Sequence, residues 1–310
     1  IVIGIQSETS FTPSDDLNDG ITSIQVRSID NVGNYSNYGI GVVIVDTTPP
    51  SIPTPFTHTP TSNNKPTWSW HSIVDAILYE VTLNDVIIGT QTSTSFTAPS
   101  SLADGTSEIK VRAIDHVNNF SAYGNHVVVI DTTPPNIPNP STQTPTNNNT
   151  PTWNWEAIAD AVEYEITIDN VFYGSQNSTS FTASELKDGL HTIKVRAKDE
   201  VGNFSEYGTH TILIDTIAPE IPIPFTHSPT ASTIITWEWQ DIADAILYEV
   251  VLNNVIQGTQ TSNLFVPSEN LNEGENEIKV RAKDSVGNWS DYGKHIVVVD
   301  TTPPAKPSPY

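Results

Sequence analysis

The sequence predicts an all-β protein, a tandem array of antiparallel seven-stranded β-sandwiches arranged as an elongated rod. Three observations predict this fold class. Sequence motifs recur every 84 or 85 residues, apolar residues alternate with polar ones at a period of two, and turn motifs separate the alternating runs. No helical pattern of useful length occurs in the 310 residues. Each repeat should therefore be one small sandwich with its own core.

Two independent markers define the repeat. An Asp that follows an apolar run recurs with spacings of 85, 84 and 85 residues, at Asp46, Asp131, Asp215 and Asp300. A pair of Trp residues recurs with spacings of 85 and 84, at Trp68/Trp70, Trp153/Trp155 and Trp237/Trp239. The agreement of the two spacings indicates tandem copies of a single unit.

The markers divide the chain into five segments. They are the C-terminal half of a truncated repeat at 1–46, complete β-sandwich repeats at 47–131, 132–215 and 216–300, and a linker into a following repeat at 301–310. A half repeat lacks the strands that would cover its core, so we expect poor packing there. The chain also contains no Met, and we expect the parent protein to continue in both directions.

The elements of one copy follow from its alternation, here in the order of the chain. TWNW at 152–155 places both Trp side chains on one face of a second strand. YEITID at 164–169 and TIKVRAKD at 192–199 alternate apolar and polar residues, which is typical of half-buried third and sixth strands. THTILID at 209–215 ends the copy as a more apolar strand. The i, i+2 spacing of the Trp pairs predicts core packing rather than a sugar-binding platform.

These motifs resemble a known module. The TWxW strand, the YEV or YEI strand, the L-x-D-G corner and the VRAxDxVGNxS hairpin resemble fibronectin type III repeats and the bacterial Ig-like repeats of giant bacterial surface adhesins. Fibronectin modules usually carry a Tyr on the sixth strand, where this chain has Ile109, Ile193 and Ile278. The departure favours the bacterial Ig-like kind. The resemblance implies an extender region without enzymatic activity at the bacterial cell surface.

Composition limits the classes of partner. The chain has 36 acidic and 13 basic residues, a net charge of −23, which repels nucleic acids and anionic membranes. No apolar run reaches the 18 residues that a membrane-spanning helix needs, so no membrane insertion is expected. The absence of Cys excludes disulfides, thiolate catalysis and Cys-ligated zinc. A hydrophobic fraction of 36% predicts folded domains rather than disorder.

Charges concentrate on one strand type. Nine of the 13 basic residues lie on sixth strands. In a fibronectin-like order the sixth strand lies beside the third, so the outward-facing Glu80, Glu165 and Glu249 should pair across the strands. The basic residues are then neutralised locally, and the remaining surface is strongly acidic.

Acidic residues should converge where one repeat meets the next. The sandwich topology places two loops of each repeat beside the end of the preceding one, which would group three acids at each junction. These candidate calcium ligands are Asp46, Asp75 and Asp115; Asp131, Asp160 and Asp199; and Asp215, Asp244 and Asp284. Three close carboxylates repel one another unless a cation lies among them, and Ca²⁺ takes six to eight oxygen ligands. Alternatively, these acids only accept N–H bonds within turns.

Two further sets of residues recur in the hairpin and the strand after it. The hairpin tip carries Tyr35, Phe120, Phe204 or Trp289, each a candidate for packing onto the neighbouring repeat or for binding polysaccharide or a surface protein. His126, His210 and His295 recur in a YGxH context. One His per repeat cannot form a zinc site, so we expect exposed strand residues there. Asn118 takes the hairpin position that Gly occupies elsewhere, which predicts a positive φ at that residue.

The sequence favours a structural function. Prolines after each repeat, as in DTTPP, remove N–H donors and stiffen the link, and each repeat should span roughly 35–40 Å. We expect a spacer in a large secreted or cell-surface adhesin or fibre, whose partners are the neighbouring repeats of the same chain. The alternatives are carbohydrate- or protein-binding modules, or accessory domains of a secreted polysaccharide-degrading enzyme. No nucleophile elbow or phosphate-binding loop accompanies the scattered Ser, His and Asp residues.

Overall fold

A computed structural model describes residues 3–307. Residues 1–2 and 308–310, at the outer ends of the predicted segments 1–46 and 301–310, lie outside the described residues. The described part of the chain is all-β and contains no helix, and it therefore offers no helix that could cross a lipid bilayer. It forms two compact units. One runs to Thr133 and includes Val201–Asn203, and the other comprises Pro134–Glu200 and continues from Phe204.

The first unit contains eight strands. The half repeat contributes an antiparallel pair, β1 (Gly20–Val26) and β2 (Gly39–Val45). The repeat 47–131 contributes β3 (Thr67–Ser69), β4 (Leu78–Leu83), β5 (Val86–Gln91), β6 (Ser95–Thr97), β7 (Gly105–Ile114) and β8 (Gly124–Ile130). Its sheets have the strand orders β5-β4-β7-β8 and β3-β6.

The second unit repeats this arrangement twice. The repeat 132–215 contributes β9 (Thr152–Asn154), β10 (Glu163–Ile168), β11 (Val171–Gln176), β12 (Ser180–Thr182), β13 (Gly189–Lys198) and β14 (Gly208–Ile214). The repeat 216–300 contributes β15 (Trp237–Glu238), β16 (Leu247–Leu252), β17 (Val255–Gln260), β18 (Leu264–Phe265), β19 (Gly274–Lys283) and β20 (Gly293–Val299). Each repeat again pairs a four-stranded sheet with a two-stranded sheet.

The alternation in the sequence explains the core of each sandwich. Trp68, on the short strand β3, is completely buried, together with Val81 and Val111 from the facing sheet. The other two repeats bury the corresponding Trp, Ile and Val residues, which confirms the predicted role of the Trp pairs. Trp70 contacts Tyr79 edge-to-face, with ring centroids 5.5 Å apart. Such aromatic pairs add packing energy beyond the area they bury.

The first strand differs from expectation. It is not a regular strand but a segment that bridges both sheets, antiparallel at Pro55↔Trp70 and parallel at Thr61↔Ile130. Proline supplies no N–H donor, so this proline-rich stretch cannot form a continuous ladder. We call residues 53–61 and their equivalents, 138–146 and 222–230, the strand-switch segments.

The half repeat exposes apolar surface, as expected for a sheet without its covering layer. Ile21 on β1 and Ile40 on β2 are 76% and 67% exposed. The corresponding strands of the complete repeats alternate between buried and exposed residues instead. The hydrophobic side chains of β1 and β2 therefore gain little from burial in the described part of the chain.

Candidate functional site

In each complete repeat, the Asp that opens the hairpin after the sixth strand is buried. Asp115 has no exposed surface. Its Oδ1 accepts the main-chain N–H groups of Val117 and Asn119 at 2.9 and 2.8 Å, and its Oδ2 accepts Nδ2 of Asn119 at 2.8 Å. Burial alone would raise the pKa of Asp115, but the hydrogen bonds from Asn119 and Val117 outweigh it and lower that pKa. The carboxylate is therefore ionised at neutral pH.

The same Asn side chain also reaches the preceding repeat. Nδ2 of Asn119 donates to the main-chain carbonyl of Asp46 at 2.9 Å. In the second unit, Nδ2 of Asn288 donates to the carbonyls of Asp215 and Ile217 at 2.9 and 3.2 Å. Sequence reasoning missed this role, although the Asn recurs at every hairpin. Each bond joins the hairpin of one repeat to the end of the repeat before it.

Two of the three predicted acidic triads come together. Carboxylate oxygens of Asp46, Asp75 and Asp115 all lie within 4.8 Å of one another, and so do those of Asp215, Asp244 and Asp284. In both triads the hairpin residue, Asp115 or Asp284, is buried, whereas Asp75 or Asp244 is exposed. Asp131 belongs to the first unit, whereas Asp160 and Asp199 belong to the second. The grouping of these three stays a prediction.

The chemistry of the two observed triads fits a hard cation. All three side chains of each triad offer carboxylate oxygens, the ligand type that Ca²⁺ prefers. Hydrogen bonds inside the turn already occupy both oxygens of Asp115, so the turn-capping interpretation also accounts for part of the geometry. Asp75 would supply an outward-facing oxygen that the turn does not require.

The threonines of the DTTPP motif are held by a second acid of the preceding repeat. The N–H and Oγ1 of Thr47 donate to Oδ1 of Asp19 at 3.0 and 2.9 Å, and Oγ1 of Thr48 donates to Oδ2 at 2.8 Å. Asp104, Asp188 and Glu273 hold the equivalent threonines. This acid is the third residue of the L-x-D-G corner. The corner therefore fixes the start of each inter-repeat link.

Each predicted hairpin-tip aromatic stacks on an arginine of its own repeat. The guanidinium carbon of Arg112 lies 4.2 Å from the ring centroid of Phe120 and 4.9 Å from that of Tyr123. Tyr35, Phe204 and Trp289 stack in the same way on Arg27, Arg196 and Arg281, at 3.8, 4.0 and 4.4 Å. These side chains thus have a structural role within the repeat, and their predicted role in binding stays a prediction.

The cross-strand ion pairs are confirmed. Arg112 Nε lies 2.9 Å from Oε1 of Glu80, directly across the β4–β7 pair. Arg196 and Arg281 pair with Glu165 and Glu249 in the same register. In two repeats the Tyr hydroxyl beside the arginine also donates to this Glu. Tyr123 donates to Glu80, and Tyr292 donates to Glu249. An aromatic ring, an arginine, a tyrosine and a glutamate form one continuous surface ladder.

The YGxH motif has a structural role that the sequence did not suggest. We expected His126, His210 and His295 to be exposed, and this was wrong: they are partly buried, and each Nε2 accepts a main-chain N–H from the strand-switch segment. The Gly before them allows close approach of the same segment. A Cβ on Gly124 would lie 1.7 Å from the carbonyl oxygen of Pro53. The available signal was the position of His126, two residues before the buried Val128 on the same strand, which places both side chains on the core face.

Comparison with known proteins relates one repeat to a known family of modules. The family described as "Bacterial Ig-like domain" matches residues 139–216. Exoglucanase B of Cellulomonas fimi is 27% identical over 291 residues, which cover 85% of this chain and 27% of that protein. Chitinase A1 of Niallia circulans is 31% identical over 200 residues, which cover 58% of this chain and 28% of that protein. The chain thus spans about a quarter of the length of these curated relatives.

Among solved structures, the fibronectin(III)-like modules of Clostridium thermocellum CbhA are 16% identical, with a TM-score of 0.34. The match covers 51% of this chain and 90% of that chain. The repeated Trp-centred sandwiches and the family match agree with the class of module expected from the motifs. Residues 139–216, most of one repeat, are therefore similar to the bacterial Ig-like domain, and the other two complete repeats share the strand order and the buried Trp pair of that repeat.

Proposed function

We propose that the chain is a non-catalytic spacer of a secreted or cell-surface bacterial protein, which holds other domains of that protein apart. The recurrence of the same motifs and buried positions in every complete repeat supports this role, because a spacer needs uniform units whereas a specialised site would single out one of them. The net charge of −23 keeps such a segment soluble and repels nucleic acids and anionic membranes.

The single observation that carries the proposal is the hydrogen bond across each described junction. Asn119 and Asn288 tie a buried turn of one repeat to the last carbonyl of the repeat before it. The prolines that follow limit the backbone freedom of the link. A chain of freely moving binding modules would not require the same contact to recur at two of its junctions.

We also propose that calcium binds at the junctions and stiffens them. Asp46, Asp75 and Asp115 would supply three carboxylates, and Asp215, Asp244 and Asp284 would supply the equivalent set. Without a cation, three ionised carboxylates within 4.8 Å would repel one another. The bound ion would lower this repulsion and connect the last strand of one repeat to two loops of the next.

The class of parent protein has two candidates. An adhesin or extracellular fibre matches the repetition itself. A secreted polysaccharide-degrading enzyme, in which these repeats are accessory domains, is favoured by the similarity to exoglucanase B and chitinase A1. Either parent places the repeats outside the cell. The exposed aromatic residues Phe120 and Tyr123 would be the contact points if the accessory modules also bind polysaccharide.

Small-angle X-ray scattering of the full chain tests the spacer role. We expect a maximum dimension close to three repeat lengths, on the order of 100 Å or more, unchanged between low and moderate salt. A compact or salt-dependent profile would contradict a stiff spacer. Pull-down on cellulose and chitin separates the alternative role, because a spacer without binding sites stays in the supernatant.

A further inference from the structure

In each complete repeat, a histidine imidazole accepts a main-chain hydrogen bond from the strand-switch segment at a point where no neighbouring strand does so. In the repeat 47–131, the N–H of Phe56 bonds to β3 at 2.8 Å and the N–H of Thr61 bonds to β8 at 3.0 Å. Between these two points the segment crosses from one sheet to the other. There the N–H of His58 donates to Nε2 of His126, on β8, at 2.9 Å.

The same bond occurs in the other two complete repeats. The N–H of Gln143 donates to Nε2 of His210 at 3.0 Å, and the N–H of His227 donates to Nε2 of His295 at 2.9 Å. The residue that donates is His in two repeats and Gln in one, but the accepting His is present in all three. The bond therefore depends on the imidazole and on the main chain of the segment.

Only a neutral imidazole accepts a hydrogen bond at Nε2, because the protonated ring is a donor at both nitrogens. Burial lowers the pKa of His126, and the nearby His58 lowers it further. Burial also lowers the pKa of His295, with a further contribution from His227. The unfolded chain then binds protons more readily than the folded one. The neutral imidazole therefore contributes its full stabilisation of the fold when the pH is above about 6.5, the ordinary pKa. This contribution is lost as the pH falls through the lowered pKa of the folded state.

The groups that face the accepting imidazole supply no negative charge that would stabilise the ring once it is protonated. His58 faces His126 with ring centroids 5.5 Å apart, and its Nε2 lies 2.8 Å from the carbonyl oxygen of Thr67. On β3, the neighbouring side chain is the uncharged Trp68. Protonation of both histidines would place two positive charges together at the edge of the core.

The charged residues on β7 point to the opposite face. Ile109 pairs with His126 and is buried, whereas Glu108 and Lys110 on either side of it form an ion pair at 3.3 Å on the outer surface. In the repeat 216–300, Glu277 and Lys279 flank the equivalent Ile278. In the repeat 132–215, Thr192 and Lys194 flank Ile193. The ion pairs lie on the outer face of the sheet, away from the imidazole.

We propose that His126 and His295 are acid-sensitive clasps, which hold their strand-switch segments in place at neutral pH and release them on acidification. After protonation, Nε2–H of the ring would oppose the main-chain N–H, and neither buried donor would have an acceptor. The segment follows the inter-repeat link directly, so its release would loosen the start of its repeat. This switch is independent of the spacer role.

Amide hydrogen exchange on the full chain, followed by NMR, tests the clasp. Protection factors, corrected for the intrinsic pH dependence of exchange, are compared at about pH 7.5 and about pH 5 for the N–H groups of His58 and His227. We expect protection to fall by about tenfold per pH unit once the clasp titrates.

Three variants of one repeat isolate the titrating group. His126→Gln supplies a carbonyl acceptor that does not titrate, so the N–H of His58 should stay protected at both pH values. His126→Phe removes the acceptor and should lose protection at both. His58→Gln removes the imidazole that lowers the pKa of His126, so it should move the release to higher pH. The proposal is overturned if wild-type protection is equal at both pH values, or if His126→Gln responds to pH as wild type does. The comparison of wild type with His126→Gln tests the proposal even if His126→Phe does not fold.

Discussion

The side-chain amide of Asn288 lies 2.9 Å from the main-chain carbonyl oxygen of Asp215, a residue 73 positions earlier in the preceding repeat. The same nitrogen donates to Oδ2 of Asp284 at 2.7 Å inside its own hairpin. One side chain thus closes a turn and joins two repeats. A rigid hairpin is a suitable anchor for such a bond, because little side-chain freedom remains to be lost.

Removing this amide should weaken the repeat 216–300. Asn288→Ala leaves the carbonyl of Asp215 and an oxygen of Asp284 without their donor, and each lost bond is worth about 1 kcal/mol. We expect the urea midpoint of that repeat to fall. Asn34→Ala is the matched control, because Asn34 bonds to Asp30 in the half repeat. An equal change in both variants would show that the bond to Asp215 contributes nothing.

Alanine at the Gly of the last strand should be tolerated only in the half repeat. In Gly293→Ala the new Cβ would lie 1.8 Å from the carbonyl oxygen of Pro222, so the strand-switch segment must move. We expect a loss of about 1–3 kcal/mol in the free energy of unfolding, as for other overpacked sites. Gly39→Ala meets its nearest atom, the carbonyl oxygen of Val26, at 3.7 Å. A Gly293→Ala variant as stable as wild type would contradict the close approach.

The surface ladder should give a pH-dependent contribution to stability. The hydroxyl of Tyr292 and the guanidinium of Arg281 lower the pKa of Glu249, against the opposing effect of burial. A depressed carboxyl pKa stabilises the fold above the ordinary value of 4.5, and this contribution is lost as the pH falls through the folded value. Glu249→Gln should therefore lower the urea midpoint above about pH 5 and have little effect near about pH 3.

The control for this experiment is Glu238→Gln, which changes an exposed side chain of the same repeat. Its urea midpoint should follow that of wild type at every pH. A constant difference between Glu249→Gln and wild type from neutral to acid pH would show that the ladder contributes packing alone.

Chelation tests the proposed calcium sites. The melting temperature of wild type should rise with added calcium and fall in excess EDTA. The triple variant Asp75→Ala, Asp160→Ala, Asp244→Ala removes one acid from each of the two observed triads and from the predicted third one, and it leaves the hairpin carboxylates in place. It should fold and no longer respond to calcium. An unchanged wild-type melting temperature in excess EDTA would rule out calcium as a stabilising ligand.

The fold was predictable because short patterns in the sequence, such as alternating apolar residues and turn residues, determine its strands and hairpins. Trp153, Ile166 and Val195 fall on buried positions by simple alternation, and the positive φ of Asn118, 70°, was foreseen from its place in the hairpin. The first strand was not foreseen in its observed form, because the sequence does not show which sheet a proline-rich edge segment joins. That choice depends on the assembled sandwich.

The junctions were predictable only in part. Topology brings Asp46, Asp75 and Asp115 together, so their approach followed from the predicted strand order. The bond from Asn119 to the carbonyl of Asp46 has no sequence signal of its own, because a main-chain acceptor has no residue type. The role of His126 was missed for the same reason, since its partner is the N–H of whichever residue occupies position 58.

The distance across one junction tests the central claim most directly. The chain contains no Cys, so Thr209→Cys and Lys294→Cys would place spin labels on exposed positions of β14 and β20 alone. A stiff spacer gives a single narrow distance distribution by double electron–electron resonance. A broad distribution would show that the two repeats move independently, and it would contradict the proposed function.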